Sequence, residues 1–190
     1  MKKRIILVED ESIVRLDISM MLQDAGYEIV GEAGDGEKAI ELAYSLKPDL
    51  ILMDIKMPKL NGLKASEIIS NRFNIPIILL TAYSQREFID KAKQANILGY
   101  LVKPISEASL IPAIEIALKQ AENANVYKEK VAEMNNRLKN RKIVEKAKGV
   151  LMQRFKLTEE VAYNKMRTIS MDRQVTLEKV ARNIIVKYNT

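Results

Sequence analysis

The sequence predicts an α/β fold, a doubly wound parallel sheet of five strands, followed by a long coiled-coil helix and a small all-α domain of three helices. Three observations predict it. Short apolar runs alternate with amphipathic stretches through roughly the first 105 residues, the alternation stops after Lys103-Pro104, and the remainder has helical spacing.

The expected strands are residues 4–8, 28–33, 49–53, 75–80 and 99–102, each too short and too apolar for an independent amphipathic helix. Between them lie helix-length segments at 12–25, 36–45, 63–72 and 85–95. Ile5-Ile6-Leu7-Val8 and Ile75-Pro76-Ile77-Ile78-Leu79-Leu80 are continuous apolar runs, as expected of strands buried on both faces of a helix-covered parallel sheet. Past Lys103-Pro104, Ser106 or Ser109 can cap the next helix, with Pro112 within about its first turn.

Ile114, Ala117, Ala121, Ala124, Tyr127, Val131, Met134 and Leu138 follow at spacings of three and four, giving one apolar seam. Two consecutive spacings of three at Ala121, Ala124 and Tyr127 would locally overwind a supercoil. A coiled-coil dimerisation segment is the favoured reading, with a solitary helix packed on its own domain as the alternative. Three short helices are expected beyond Arg141, at 142–154, 159–171 and 177–186, with Thr158 and Thr176 as N-caps. Their core would draw on Ala147, Val150, Leu151, Val161, Ala162, Met166, Ile169, Leu177, Val180, Ala181 and Ile184. The expected domains are 1–118, a helical linker at 119–140, and 141–190.

Composition narrows the chemistry. The chain lacks both Cys and His, which removes disulfides, the usual zinc ligands, and Ser-His-Asp or Cys-His catalysis. It also means that this chain is not itself the phosphohistidine member of a phosphorelay. Met1-Lys2-Lys3-Arg4 leads into an apolar run stopped at once by Glu9, Asp10 and Glu11, unlike a signal peptide, and no stretch approaches membrane-spanning length. A cytoplasmic protein with no membrane partner is expected. Net charge is +6, but residues 1–122 hold 15 Lys and Arg against 18 Asp and Glu, net −3, whereas residues 123–190 hold 16 against 7, net +9. A polyanion partner for the second part follows, a solvated helical surface being the plainer alternative.

In an open parallel sheet, ligands bind beyond the carboxyl ends of the strands. Glu9 and Asp10, Asp54, Thr81 and Lys103 fall there, at the ends of the first, third, fourth and fifth strands. Three converging carboxylates call for a cation, and hard oxygen ligands favour Mg2+. With the charge offset, Asp54 at the central strand can attack a phosphoryl group, Thr81 can hydrogen-bond a phosphoryl oxygen and Lys103 can pair with it.

These residues lie within Leu7-Val8-Glu9-Asp10-Glu11, Leu52-Met53-Asp54-Ile55-Lys56-Met57-Pro58, Asn61-Gly62, Leu80-Thr81-Ala82 and Gly99-Tyr100-Leu101-Val102-Lys103-Pro104. Over residues 3–118 the chain thereby resembles the response-regulator receiver domains. The resemblance implies a flavodoxin-like fold, Asp54 as phosphoacceptor, and Mg2+ arranged by Glu9, Asp10, Asp54 and the Lys56 backbone carbonyl. It implies Thr81 and Tyr100 as a switch pair that reshapes the face of the fourth and fifth helices of the receiver fold, and a cis Lys103-Pro104 bond. Glu9 stands where many relatives carry Asp, which implies a metal contact through water. Such a domain is not an enzyme toward other substrates; it assists only its own phosphorylation and dephosphorylation. A phosphohydrolase or phosphotransferase reading of the pocket is the enzymatic alternative.

In the basic part, Ile143-Val144-Glu145-Lys146-Ala147-Lys148-Gly149-Val150-Leu151-Met152, Leu157-Thr158-Glu159-Glu160-Val161-Ala162-Tyr163 and Met166-Arg167-Thr168-Ile169-Ser170-Met171 resemble the ANTAR domain of transcription antiterminators, over residues 136–185. The chain as a whole is most similar to the ethanolamine-utilisation regulators within that class, including residues 99–115. The resemblance implies binding of paired RNA hairpins in leader RNA, so that a terminator does not form. Lys148, Arg154, Lys165, Arg167 and Arg173 are candidate phosphate contacts, Gly149 a point of close approach, and Gln153, Ser170 and Gln174 candidates for base edges. The implied partners are a sensor histidine kinase, RNA hairpins and, on phosphorylation, a second copy of the chain. A DNA-binding regulator with the same receiver is the runner-up.

Overall fold

The computed structural model describes residues 2–82 and 97–188. Five parallel strands, β1 (Arg4–Val8), β2 (Glu28–Ala33), β3 (Leu50–Asp54), β4 (Ile77–Thr81) and β5 (Ile97–Val102), pair in the order β2-β1-β3-β4-β5. Helices α1 (Ser12–Asp24), α2 (Gly36–Leu46) and α3 (Gly62–Phe73) alternate with them. This is the doubly wound receiver fold the sequence predicts. The helix expected over 85–95 lies outside the described residues.

Alternate residues of each central strand enter two cores. Ile5, Leu7, Leu50, Leu52, Ile78 and Leu80 pack with Ile18 and Leu22 of α1, while Ile6, Val8, Ile51, Met53, Ile77 and Leu79 pack with Ala39, Ala43, Ala65 and Ile69 of α2 and α3. Every residue of β3 and β4 is buried, the both-faces burial that their apolar runs foretold. Strand ends differ from expectation in a useful way. Pro76 has no N–H to donate, so β4 starts after it and reaches Thr81, while β3 runs through Asp54 itself.

A single helix, α4 (Glu107–Phe155), follows. Ser106 marks its start: the Ser106 N–H donates to Ser109 Oγ at 3.3 Å, and the Ser109 hydroxyl donates to the Ser106 carbonyl at 2.9 Å. Pro112 lies in the second turn rather than the first. Leu110, Ile114 and Ala117 are buried in the first core, and the buried Tyr27 hydroxyl donates to Glu115. Burial, with that carboxylate, pushes the Tyr27 phenol up.

The separate helix expected over 142–154 is a correction, because that segment is the end of α4. No Pro, Gly or competing cap interrupts Asn140-Arg141-Lys142, so nothing in the backbone stops the helix there. The expected seam also divides. Ile114 and Ala117 are receiver core, whereas Tyr127, Val131, Met134 and Leu138 are 56–68% exposed.

The chain forms two compact units, Met1–Asn125 and Val126–Thr190. In the second, α5 (Glu159–Asp172) and α6 (Leu177–Tyr188) are capped by Thr158, which accepts from Val161 N, and Thr176, which accepts from Lys179 N. Ala147, Leu151, Ala162, Met166, Val180, Ala181 and Ile184 form its core. Val161 and Ile169, expected inside, are exposed.

Candidate functional site

The strand ends build one pocket in the first unit. Beyond β1, Glu9 is still held by its N–H to the Ala33 carbonyl at 2.9 Å, and its side chain is fully buried. Asp54 ends β3 and Thr81 ends β4, both buried, while Asp10 is exposed. Lys103 follows β5, and its N–H donates to the Thr81 carbonyl at 2.8 Å. The Lys103 ammonium then lies 2.7 Å from Glu9 Oε2 and 3.1 Å from Asp54 Oδ2. The remaining Glu9 oxygen accepts the Glu11 N–H at 3.3 Å.

Carboxylate oxygens of Glu9, Asp10 and Asp54 all lie within 4.8 Å of one another. Burial pushes Asp54 above the usual carboxylate range, with Lys103 opposing and the Asp10 charge adding. Burial likewise raises Glu9, against the Lys103 hydrogen bond. For Lys103, burial works downward, but its bonds to Glu9 and the Asp54 charge outweigh it and the ammonium is raised. One ammonium therefore faces three carboxylates, two of them buried. Clustered hard oxygens with uncompensated negative charge fit a small divalent cation.

The loop from β3 to α3, which carries Lys56, is pinned along its length. Ile55 N–H donates to the Leu80 carbonyl at 3.1 Å, Gly62 N–H to the Ile55 carbonyl at 3.0 Å, and Gly36 N–H to the Leu60 carbonyl at 3.1 Å. Lys59 pairs with Asp35 at 2.7 Å, while Asp35 also caps α2 by accepting from Lys38 N. Asn61 caps α3 by accepting from Lys64 N at 3.0 Å. Gly62 is a steric necessity: an ideal Cβ there would lie 1.9 Å from the Asp54 carbonyl oxygen.

The sequence gives no signal for Arg15, an α1 residue that would pass for helix surface. Its guanidinium donates to the Glu9 carbonyl and pairs with Glu32 at 3.3 Å, holding the Glu9-Asp10 turn.

In the second unit, the candidate residues separate. Gln153, Arg154, Lys165, Arg167, Arg173 and Gln174 are exposed, and Gln174 has a left-handed backbone with φ +50°. The space over Gly149 is open, with nothing within 4 Å of where a Cβ would stand. Two of the candidates have partners within the unit. Lys148 is buried and held between Glu145 at 2.8 Å and Glu159 at 2.6 Å, which raise its ammonium and occupy the charge expected to meet phosphate. Ser170 donates its hydroxyl to the Val175 carbonyl at 2.6 Å, so in this arrangement it supports the α5–α6 turn instead of facing a base.

The response regulator receiver domain family matches residues 5–115, and the ANTAR domain family matches residues 132–185. The chain is a response regulator with a C-terminal ANTAR domain. Over 99% of its length it is 43% identical to the transcriptional regulatory protein PdtaR of Mycobacterium tuberculosis, of which it covers 92%. The chemotaxis protein CheY of Thermotoga maritima is 36% identical over 60% of the chain, covering 96% of CheY. Among solved structures, the receiver domain of a modulated diguanylate cyclase from Desulfovibrio desulfuricans matches with a TM-score of 0.61 and 30% identity, over 65% of this chain and 99% of that one. A LuxR-family response regulator from Aurantimonas matches with a TM-score of 0.60 and 32% identity, over 63% and 87%.

In this response regulator the Lys103-Pro104 peptide is cis, and Tyr100 on β5 is 52% exposed beside Leu79 of β4. No helix among the described residues is long and apolar enough to cross a membrane.

Proposed function

We propose that this response regulator is phosphorylated on Asp54 by a sensor histidine kinase, pairs with a second copy of itself, and binds two RNA hairpins to prevent transcription termination. The observation that carries this reading is the Asp54 carboxylate at the mouth of the central strand, 3.1 Å from the Lys103 ammonium, in a chain whose other unit matches the ANTAR family.

The chain has no His, so a phosphohistidine donor must belong to another protein, the kinase. An Asp54 oxygen attacks phosphorus of the kinase phosphohistidine; the P–O bond forms as the P–N bond breaks, and the released imidazole takes a proton from water. Asp10 and Asp54, with the Lys56 carbonyl, hold Mg2+, which when bound neutralises charge on the phosphoryl oxygens. Glu9, whose two oxygens lie against Lys103 and the Glu11 N–H, would serve the metal through water. Lys103 pairs with a phosphoryl oxygen, and the Thr81 hydroxyl donates to another. Tyr100 turns inward as Thr81 moves.

The exposed seam of Tyr127, Val131, Met134 and Leu138 is covered by the same seam of a second copy, which brings two basic units together. Avidity then converts two weak hairpin contacts into one strong one. Arg154, Lys165, Arg167 and Arg173 take phosphates, Gln153 and Gln174 read splayed bases, and RNA approaches closely over Gly149.

The test uses the full chain with Mg2+, with and without beryllofluoride as phosphoryl mimic. Sedimentation should show dimer formation, and a two-hairpin RNA should bind more tightly with the mimic, with duplex DNA a poor competitor at fixed salt. Equal self-association and equal RNA affinity in both states would overturn the switching mechanism, and preferential binding of duplex DNA would favour the DNA-binding alternative.

A further inference from the structure

One aromatic pair of the second unit stands at the edge of its core, where Tyr188 packs against it. Phe155, the last residue of α4, is 47% exposed and is absent from the residues packed on that core. It meets Tyr188 of α6 edge to face, with ring centroids 5.3 Å apart and planes at 89°. Tyr188 is half-buried against the core, so the ring surface the pair leaves open is that of Phe155.

Cations surround the pair. The Arg154 guanidinium lies 6.0 Å and the Lys187 ammonium 5.2 Å from the Tyr188 ring centroid. Lys156 follows Phe155 with φ +51°, turning the chain at that point. Among the described residues, none of these three cations is paired with an acid, whereas Arg137, Lys148 and Arg182 of the same unit are.

Exposed aromatic faces ringed by unneutralised cations match the chemistry of unpaired nucleotides, in which a base face is free to stack and a phosphate lies on either side. Duplex nucleic acid does not fit, because its base faces are already stacked. Resting on the RNA-binding reading above, we propose that Phe155 and Tyr188 form a stacking platform for an unpaired base of an RNA loop, flanked by phosphate contacts from Arg154, Lys156 and Lys187. A phenyl ring has no hydrogen-bonding group, so the platform tolerates any base, and discrimination rests elsewhere.

The experiment uses the full chain with Mg2+ and beryllofluoride, and hairpin RNAs carrying a fluorescent aminopurine at single loop positions. Wild type should quench the probe at one loop position. Phe155→Leu should abolish that quench and weaken hairpin binding roughly 5- to 150-fold, the range for one lost stacking contact, with little change in salt dependence. Phe155→Tyr, which keeps the ring, should restore both. Binding and quenching by Phe155→Leu equal to wild type would overturn the platform, as would an equal loss in Phe155→Tyr, which would mark a purely structural contact. Failure of wild type to bind any hairpin would instead overturn the RNA reading on which the platform rests.

Discussion

Replacing Gly62 by alanine asks a methyl group to fit where the pocket leaves no room. An ideal Cβ at Gly62 lies 1.9 Å from the Asp54 carbonyl oxygen and 2.9 Å from both the Asp54 carbonyl carbon and Met53 Cγ. Ordinary contact begins near 3.4 Å, so the end of β3 and the start of α3 would have to part by about 1.5 Å. Helix propensity alone predicts the opposite sign, since alanine is about 0.5–1 kcal/mol better than glycine inside a helix. Overpacking against a fixed backbone costs about 1–3 kcal/mol and wins. A net loss of about 1–2 kcal/mol should lower the melting point of the first unit by roughly 3–8 °C. The displaced group is the proposed phosphoacceptor, and a shift of about 1 Å at a reacting atom costs on the order of 100-fold in rate. Calorimetry, with gel separation of chains phosphorylated by a small phosphodonor in Mg2+, reads both effects. An unchanged or raised melting point with wild-type labelling would refute the steric argument.

Four further outcomes follow from the geometry. Asp35 is held below the usual carboxylate range by its bond to Lys59, so its contribution is full above the unfolded value near 3.9 and is lost as pH falls through the lower folded value. Asp35→Asn should therefore melt lower than wild type by on the order of 0.5 kcal/mol at pH 7, with the gap closing below about pH 4. Val131→Asn combined with Leu138→Asn removes two apolar side chains from each copy of the seam, and sedimentation with beryllofluoride should show the dimer weakened on the order of 100-fold or more. Gly149→Ala fills open space in a helix and should stabilise the second unit by about 0.5–1 kcal/mol while lowering hairpin affinity; unchanged affinity would remove Gly149 from the RNA surface. Lys148→Met should lower the melting point of the second unit and leave the salt dependence of RNA binding unchanged, whereas Arg167→Gln should leave stability alone and reduce the slope of log affinity against log salt by about one.

The contrast between Lys148 and Arg167 also marks the limit of what the sequence shows. Strands were legible because Ile5 to Val8 and Ile77 to Leu80 are buried on both faces, which forces continuous apolar runs. Asp54 and Thr81 were legible as strand ends because each closes such a run, whereas Lys103 follows the half-exposed β5. Lys148 reads as one more cation in a basic segment until α5 brings Glu159 within 2.6 Å, a pairing that local spacing does not encode. Phe155 and Tyr188 are far apart in sequence and each alone is an ordinary helix-end aromatic; only the fold makes them a pair. The continuity of α4 past Arg141 was missed for a different reason. Residues 142–154 read as the first of three short helices, yet nothing there stops the backbone hydrogen bonds of a helix already running.

Lys103 ties the pocket to the strand that carries Tyr100, the proposed switch aromatic. Before phosphorylation its ammonium is shared between Glu9 and Asp54, and its backbone N–H is fixed on the Thr81 carbonyl. In the proposed reaction, conversion of Asp54 to an acyl phosphate would remove the carboxylate charge that Lys103 faces and put a phosphoryl group of about −1.5 to −2 in its place, so the nearest cation would need a new partner geometry. Lys103 directly follows β5, whose Tyr100 is paired in register with Leu79, two residues before Thr81. A partner exchange at Lys103 therefore acts on the end of the same strand that holds Tyr100, and the Thr81 hydroxyl acts on the neighbouring one. If Asp54 is phosphorylated as proposed, two independent pulls on adjacent strand ends, both directed at the phosphoryl oxygens, would change the surface near β5 and leave the close-packed sheet core as it was.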